Sequence, residues 1–463
     1  MLVAGRLRCR DAIPVRNPYS GGCVGEVSND SPADVAEAIA SLRSSRRRLT
    51  PVERGRILEQ TGRRVLEASD ELARLITSES GLCLRDSRAE VQRAATNLEV
   101  AAHEAVRVGG EVREVVAGGR LSLAVSIRQP VGVVAAITPF NRPLNQVVVK
   151  VAPALAAGNR IILKPSEKAP LSGLRFIELL LACGLPEDVV AVVTGRPDAI
   201  GPALLGSADI DMVSFTGSVE TGELVTRLAG IKKLLLELGG NGPLVVLEDA
   251  DPAEAARLAA AGCYANSGQS CRGIKRILVV EALADPFVEQ LAGLTERLRW
   301  GDPLDEATDV GPLISEEAAR QAERRCIAAV ADGARLITGG RRDGALFSPT
   351  ILDRVSPGSE LVTRETFAPV APVIRVGTPE EALAECNRTR FGLQAGILTS
   401  DIATFTQFAS ELRMGGVALG MGPNFESPLI PFGGVKSSGY GREGISYAVQ
   451  EMTVLKTLLL PWA

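Results

Sequence analysis

The sequence predicts an α/β protein whose parallel sheets are covered by helices on both faces, and three observations carry that prediction. Beyond Gln129-Pro130, continuous apolar runs at 131–137, 160–164, 189–193 and 212–216 are separated by helical stretches at 143–157 and 171–183. Strands buried on both faces are apolar throughout, whereas half-exposed strands alternate. After Gly239-Gly240-Asn241 the pattern restarts, with a strand at 243–247, helices near 286–298 and 316–332, and strands near 370–376 and 396–399. Between residues 109 and 128 the rule changes. Val112, Val115, Leu121, Leu123, Val125 and Ile127 alternate with polar or small residues around Gly118-Gly119, which reads as a β-hairpin arm.

Taken in order, residues 1–30 read as short strands and turns, with Asn17-Pro18-Tyr19-Ser20-Gly21-Gly22 as a turn cluster. From Ser31 to about Arg107 the pattern is helical. Ser31-Pro32-Ala33-Asp34 and Thr50-Pro51-Val52-Glu53 are helix starts, each a capping hydroxyl followed by proline at the first helical position. The basic run Arg43-Ser44-Ser45-Arg46-Arg47-Arg48 reads as the solvated end of a helix. The chain's last piece, 451–460, reads as an exposed strand. An open terminal strand and a protruding hairpin invite pairing, so a homodimer or homotetramer is expected.

Composition narrows the function. With 51 basic and 55 acidic residues and a net charge of -4, nothing favours a nucleic-acid partner. No apolar run reaches the roughly 18 residues of a membrane span. Residues 1–6 lack the apolar core of a signal peptide, so a cytoplasmic location is expected. The eight cysteines, Cys9, Cys23, Cys83, Cys183, Cys263, Cys271, Cys326 and Cys386, include no CxxC pair, which argues against a zinc knuckle or dithiol motif. One histidine, His103, in an alanine-rich helical pattern rules out a multi-histidine metal site, and no metal is expected.

In parallel sheets ligands bind at the carboxyl ends of the strands. The turns to inspect are therefore Thr138-Pro139-Phe140-Asn141, Lys164-Pro165-Ser166-Glu167, Thr194-Gly195 and Gly217-Ser218. None contains GxGxxG, the usual dinucleotide fingerprint. Gly217-Ser218 nonetheless opens a helix, whose free N–H groups suit a phosphate. Lys164 and Glu167 could grip ribose hydroxyls, and a carboxylate there would repel a 2′-phosphate and favour NAD over NADP. Cys271 lies in the small, polar segment 266–273, between a helix at 252–264 and the apolar run 277–280. A cysteine on such a connection can reach a cleft. Arg272, Lys275 and Arg276 place positive charge nearby, which is expected to favour the thiolate.

Seven stretches in order resemble the aldehyde dehydrogenase superfamily nearly end to end. They are Thr138-Pro139-Phe140-Asn141, Leu163-Lys164-Pro165-Ser166-Glu167, Phe215-Thr216-Gly217-Ser218, Leu236-Glu237-Leu238-Gly239-Gly240, Gly268-Gln269-Ser270-Cys271, Glu365-Thr366-Phe367-Ala368-Pro369-Val370 and Pro431-Phe432-Gly433-Gly434. The resemblance implies two Rossmann-like α/β domains with parallel sheets plus a β oligomerisation arm. The NAD-binding domain would span 1–108 and 129–237, the catalytic domain 238–440, and the arm 109–128 and 441–463. It implies Cys271 as nucleophile, Glu237 as general base and Asn141 as oxyanion donor. The implied NAD contacts are Ile137, Thr138, Pro139, Lys164, Ser166, Glu167, Gly195, Phe215, Gly217, Ser218, Gly239, Glu365 and Phe367. Ala368 stands where the family usually has glycine, and Leu419-Gly420 where many relatives carry asparagine.

The segment 140–146 resembles the branch of lactaldehyde, phosphonoacetaldehyde and non-phosphorylating glyceraldehyde-3-phosphate dehydrogenases. Arg142 and Arg272 beside the reacting residues then point to a small aldehyde bearing a phosphonate, phosphate or carboxylate. A short neutral aldehyde such as lactaldehyde is the alternative, and a CoA-acylating relative is a further one. That last group usually lacks the base seen at Glu237.

Overall fold

The computed structural model describes residues 2–3, 6–7 and 11–462. Cys9 lies outside them, as do Met1, Ala4 and Gly5 of the amino-terminal stretch. The first α/β unit is built on an eight-stranded sheet. Its centre is five parallel strands, in spatial order Val190–Val192, Arg160–Lys164, Val133–Ile137, Met212–Thr216 and Lys233–Glu237. These are the apolar runs of the sequence, and their inner residues are almost completely buried. Helices Asn145–Ala157 and Leu171–Ala182 pack with helices Pro51–Glu67, Ser69–Ser80 and Leu84–Arg107 on one face. Helices Pro32–Ser44, Pro197–Gly206 and Val219–Ala229 cover the other. Both proline-marked helix starts form complete capping boxes, Ser31 with Asp34 and Thr50 with Glu53.

The second unit has a seven-stranded sheet in the order Arg335–Thr338, Thr350–Asp353, Val370–Val376, Ile274–Val280, Gly242–Val246, Gln394–Leu398 and Gly416–Leu419. The helix expected near 286–298 begins earlier, at Glu281–Thr295. It follows the strand ending at Val280 without a loop, so Pro286 lies within its first two turns rather than at its start. The arm is an antiparallel three-stranded sheet of Gly110–Ala117, Arg120–Pro130 and Thr453–Pro461. Within 441–463 only that last strand joins the arm. Gly439–Tyr440 pairs antiparallel with Lys233–Glu237, and helix Ile445–Glu451 buries Ile445, Ala448 and Val449 in the first unit's core. Val454, Leu455, Leu458, Leu459 and Leu460 of the arm are exposed on the single chain. No helix among the described residues is long and apolar enough to cross a membrane.

Candidate active site

The segment carrying Cys271 leaves its helix through a sharp kink. Asn266, Ser267 and Gly268 have φ of 55°, 52° and 71°, three left-handed residues in succession. For the two non-glycine residues this costs of the order of 1–3 kcal/mol each and persists only where surroundings enforce it. The enforcement is visible. The Asn266 side-chain amide donates to the carbonyls of Asn141 and Gln269, both at 2.9 Å, and Ser267 Oγ donates to Gly311 O at 3.0 Å. Gly268 tolerates no side chain, because a Cβ would lie 2.0 Å from Ala368 O. Asn141 Nδ2 donates to Gln269 O at 2.9 Å, tying the loop after the strand Val133–Ile137 to the loop of Cys271.

Two cavities meet at Asn141, Gln146 and Cys271. The first, about 270 Å³, is also lined by Pro139, Phe140, Thr216, Gly217, Ser218, Glu237, Leu238, Gly239, Glu365 and Phe367. Six of the thirteen NAD contacts expected from the sequence thus share it: Pro139, Gly217, Ser218, Gly239, Glu365 and Phe367. Lys164 and Glu167 form an ion pair of 3.1 Å at the end of the neighbouring strand. Ser166 Oγ accepts the N–H of Lys168 at 3.3 Å in the turn that follows. Ile137 and Phe215 pack into the core beneath, the Phe215 ring so close to Gly217 that a Cβ there would clash at 2.4 Å. Gly195, at φ 144°, lies against the backbone of Asp30.

These residues fit a dinucleotide. Thr138 Oγ1 and Thr216 Oγ1 are buried at strand ends without partners. Helix Val219–Ala229 presents its amino terminus there, capped by Ser218. Gly239 leaves room that a side chain would lose to Glu365, whose Oε2 would be 2.5 Å from a Cβ.

Glu237 ends the strand Lys233–Glu237 and is 1% exposed, with its carboxyl against the Cys271 thiol. Burial first, and then the negative charge of Glu443, push it up to about 8. Burial likewise raises Glu365 to about 7, against the opposing pull of Lys275. Cys271 departs from expectation. Burial and the Glu237 carboxyl hold its thiol well above the ordinary range, with Arg272 the main opposing charge. Arg276 does not serve it as its sequence proximity suggests, whereas the Lys275 charge does bear on the thiol. Arg276 is fully buried and donates to the carbonyls of Asn241, Glu385 and Cys386. Lys275 donates to Gly268 O and lies 4.9 Å from the centre of the Phe367 ring.

The second cavity, about 40 Å³, brings together Arg142 and Arg272 as anticipated, and adds Arg93, Asn97, Asn145, Glu426 and Glu443. Glu443 accepts from the fully buried Lys150 at 2.6 Å. Arg272 is not free: it pairs with Glu426 and donates to Asn424 O at 3.1 Å. Sequence reasoning missed Arg93, Lys150, Glu426 and Glu443. Arg93 and Asn97 sit four apart on helix Leu84–Arg107, one helical face, and that spacing was the available signal.

Comparison with known proteins agrees with this geometry. The model of the "Aldehyde dehydrogenase family" matches residues 7–458. A 3-sulfolactaldehyde dehydrogenase of Priestia aryabhattai is 38% identical over 97% of this chain and 95% of its own. The crystal structure of glyceraldehyde-3-phosphate dehydrogenase GapN from Methanocaldococcus jannaschii, complexed with NADP, superposes with a TM-score of 0.94 at 38% identity, covering 98% of this chain and 100% of that one. PnpE from Pseudomonas sp. WBC-3 superposes at 0.95 with 34% identity over 99% of this chain and 97% of its own. The chain therefore belongs to the aldehyde dehydrogenase family and is an NAD(P)-dependent oxidoreductase acting on small aldehydes.

Proposed function

We propose that the protein oxidises a short aldehyde bearing an anionic group to the carboxylic acid, with NAD preferred over NADP. The observation that carries this reading is Cys271 standing in the shared wall of two cavities, one suited to a dinucleotide and the other lined by three arginines. Cys271 Sγ, once its proton has passed to water, attacks the aldehyde carbon as thiolate and forms a thiohemiacetal. Asn141 uses one amide hydrogen on Gln269 O, leaving the other, with the Cys271 backbone N–H, for the developing oxyanion. The bound nicotinamide supplies the hydride acceptor. The resulting thioester on Cys271 is hydrolysed by water that Glu237 deprotonates. The relatives named above act on sulfolactaldehyde and glyceraldehyde 3-phosphate, both short and anionic. The exposed apolar arm strand supports assembly with further copies of the chain.

A panel of neutral and anionic aldehydes, followed by NADH formation, tests the substrate class. Arg142→Ala is expected to lower kcat/KM on an anionic aldehyde ~10- to 150-fold, the worth of a charge-assisted contact, and to do much less on propanal. If propanal or lactaldehyde is oxidised as well as any anionic aldehyde and Arg142→Ala changes neither, the anionic reading is wrong.

The cofactor preference rests on Glu167. Its carboxylate can accept ribose hydroxyls but meets a 2′-phosphate at like charge. Pairing with Lys164 offsets part of that charge, so the expected preference is modest, about tenfold in kcat/KM. Glu167→Gln should shrink the NAD to NADP ratio. Equal kcat/KM for both cofactors in the wild type would remove this role from Glu167.

A further inference from the structure

We infer that the substrate-side cavity is built for a single negative charge, a sulfonate or a carboxylate, and that Arg93 holds it together with Arg142. The inference deepens the anionic-aldehyde reading and rests on it.

Arg93 projects from helix Leu84–Arg107 into the cavity that Cys271 and Arg142 also line. Nη2 of Arg93 and Nη1 of Arg142 are both buried and bond to nothing. Buried donors in folded proteins almost always have partners, so two orphaned guanidinium nitrogens in one cavity call for a shared acceptor. The two cations also oppose one another: burial and Arg142 draw Arg93 down to about 10. An anion between them would satisfy both donors and relieve that repulsion. Sulfonate and carboxylate each offer at least two oxygens for a planar guanidinium fork.

Arg272 is placed differently, because Glu426 already neutralises it. The remaining charges are equally well defined. Glu90 lies behind the arginine pair, with Oε1 accepting the N–H groups of Leu144 and Asn145 at 2.9 Å each. Arg142 and Arg93 both favour its ionised form against the upward push of burial. Glu443 is bonded to Lys150. The charged side chains that line the cavity are Arg93, Arg142 and Arg272 against Glu426 and Glu443, three cations against two carboxylates. One net positive charge is balanced by a monoanion. A phosphate or phosphonate dianion would leave an uncompensated negative charge in a buried site, which is costly.

The test measures kcat/KM for propanal, succinate semialdehyde, 3-oxopropanesulfonate, phosphonoacetaldehyde and glyceraldehyde 3-phosphate. The wild type should favour the two monoanions over the neutral and the dianionic substrates. Arg93→Gln should lower the ratio of monoanion to propanal by ~10- to 150-fold, with partial recovery in Arg93→Lys. Glu426→Gln releases Arg272 and adds one unit of positive charge, so it should raise the ratio of dianion to monoanion about tenfold. A binding readout runs alongside on protein without cofactor. Propanesulfonate should slow iodoacetamide labelling of the Cys271 peptide more than inorganic phosphate does at mildly alkaline pH, and Arg93→Gln should lose that protection. A wild type that prefers the dianions, a Glu426→Gln variant with unchanged ratios, or an Arg93→Gln variant that keeps both ratio and protection would each overturn the inference. In those cases anionic aldehydes still outrun propanal and the broader reading stands. Propanal matching every anionic aldehyde would overturn both.

Discussion

Cys271→Ala is expected to abolish NAD(P)H formation with every aldehyde, while Cys263→Ala keeps most of it. Both cysteines lie within one short stretch of chain, so the contrast separates a nucleophile from a packing residue. Without its nucleophile a covalent mechanism has no route to the thiohemiacetal, and losses of roughly 10⁴-fold or more are usual when such a residue is removed. Cys263 has the opposite setting. It is 1% exposed, on helix Pro252–Tyr264, inside the core of the second unit. Burial pushes its thiol up to about 12, as burial also raises Cys271, but Cys263 lines neither cavity, so an aldehyde does not reach it. Alanine there removes one sulfur and should cost about 1 kcal/mol of stability, with little change in kcat. Absorbance of the reduced cofactor and a thermal melt on each variant check both halves. Comparable loss of activity from two folded variants would remove Cys271 from its role.

The strands and their order of appearance were legible because burial on both faces leaves an unbroken apolar signature, as in Val133–Ile137 and Met212–Thr216. Residues at strand ends were legible for a related reason: topology sends those turns to one edge. That is how Asn141 and Gly217 could be named together, whereas Glu237 was named only through the family resemblance. What escaped came from elements whose own pattern says nothing about the cleft. Arg93 sits in a helix whose amphipathic face reads simply as packing, and Glu443 follows the sheet-edge strand Gly439–Tyr440 more than 200 residues after its neighbour Glu237 in sequence. The expectation about charge failed at Arg276 for a stereochemical reason. Lys275 and Arg276 lie on the strand Ile274–Val280, where successive side chains point to opposite faces. Nearness to Cys271 along the chain therefore did not become nearness in space for Arg276, which faces Glu385 and Cys386 instead. The thiol's environment is dominated by burial and by Glu237, which the sequence placed 34 positions away.

Glu237→Gln should trap the enzyme after its first chemical step. Once the Cys271 thiol has ionised, hydride departure from the thiohemiacetal needs no further base, so one equivalent of NADH per active site should appear as a burst. The thioester then waits for water that nothing deprotonates, and the steady-state rate should fall by ~10²- to 10⁴-fold, the range for loss of a general base. The wild type adds a pH signature. Burial and Glu443 hold Glu237 near 8, and only its ionised form can act as base. Where hydrolysis limits turnover, kcat should therefore climb as pH rises through about 8 and level off above it. The Gln variant should show no such rise. Rapid-mixing absorbance, with mass spectrometry of the quenched protein for the acyl adduct on Cys271, reads both. A variant that loses the burst along with turnover would assign Glu237 a different duty. It would then be the group that takes the Cys271 proton, consistent with how strongly its carboxyl bears on that thiol. A variant that keeps full turnover, with an unchanged pH profile, would take Glu237 out of the chemistry altogether.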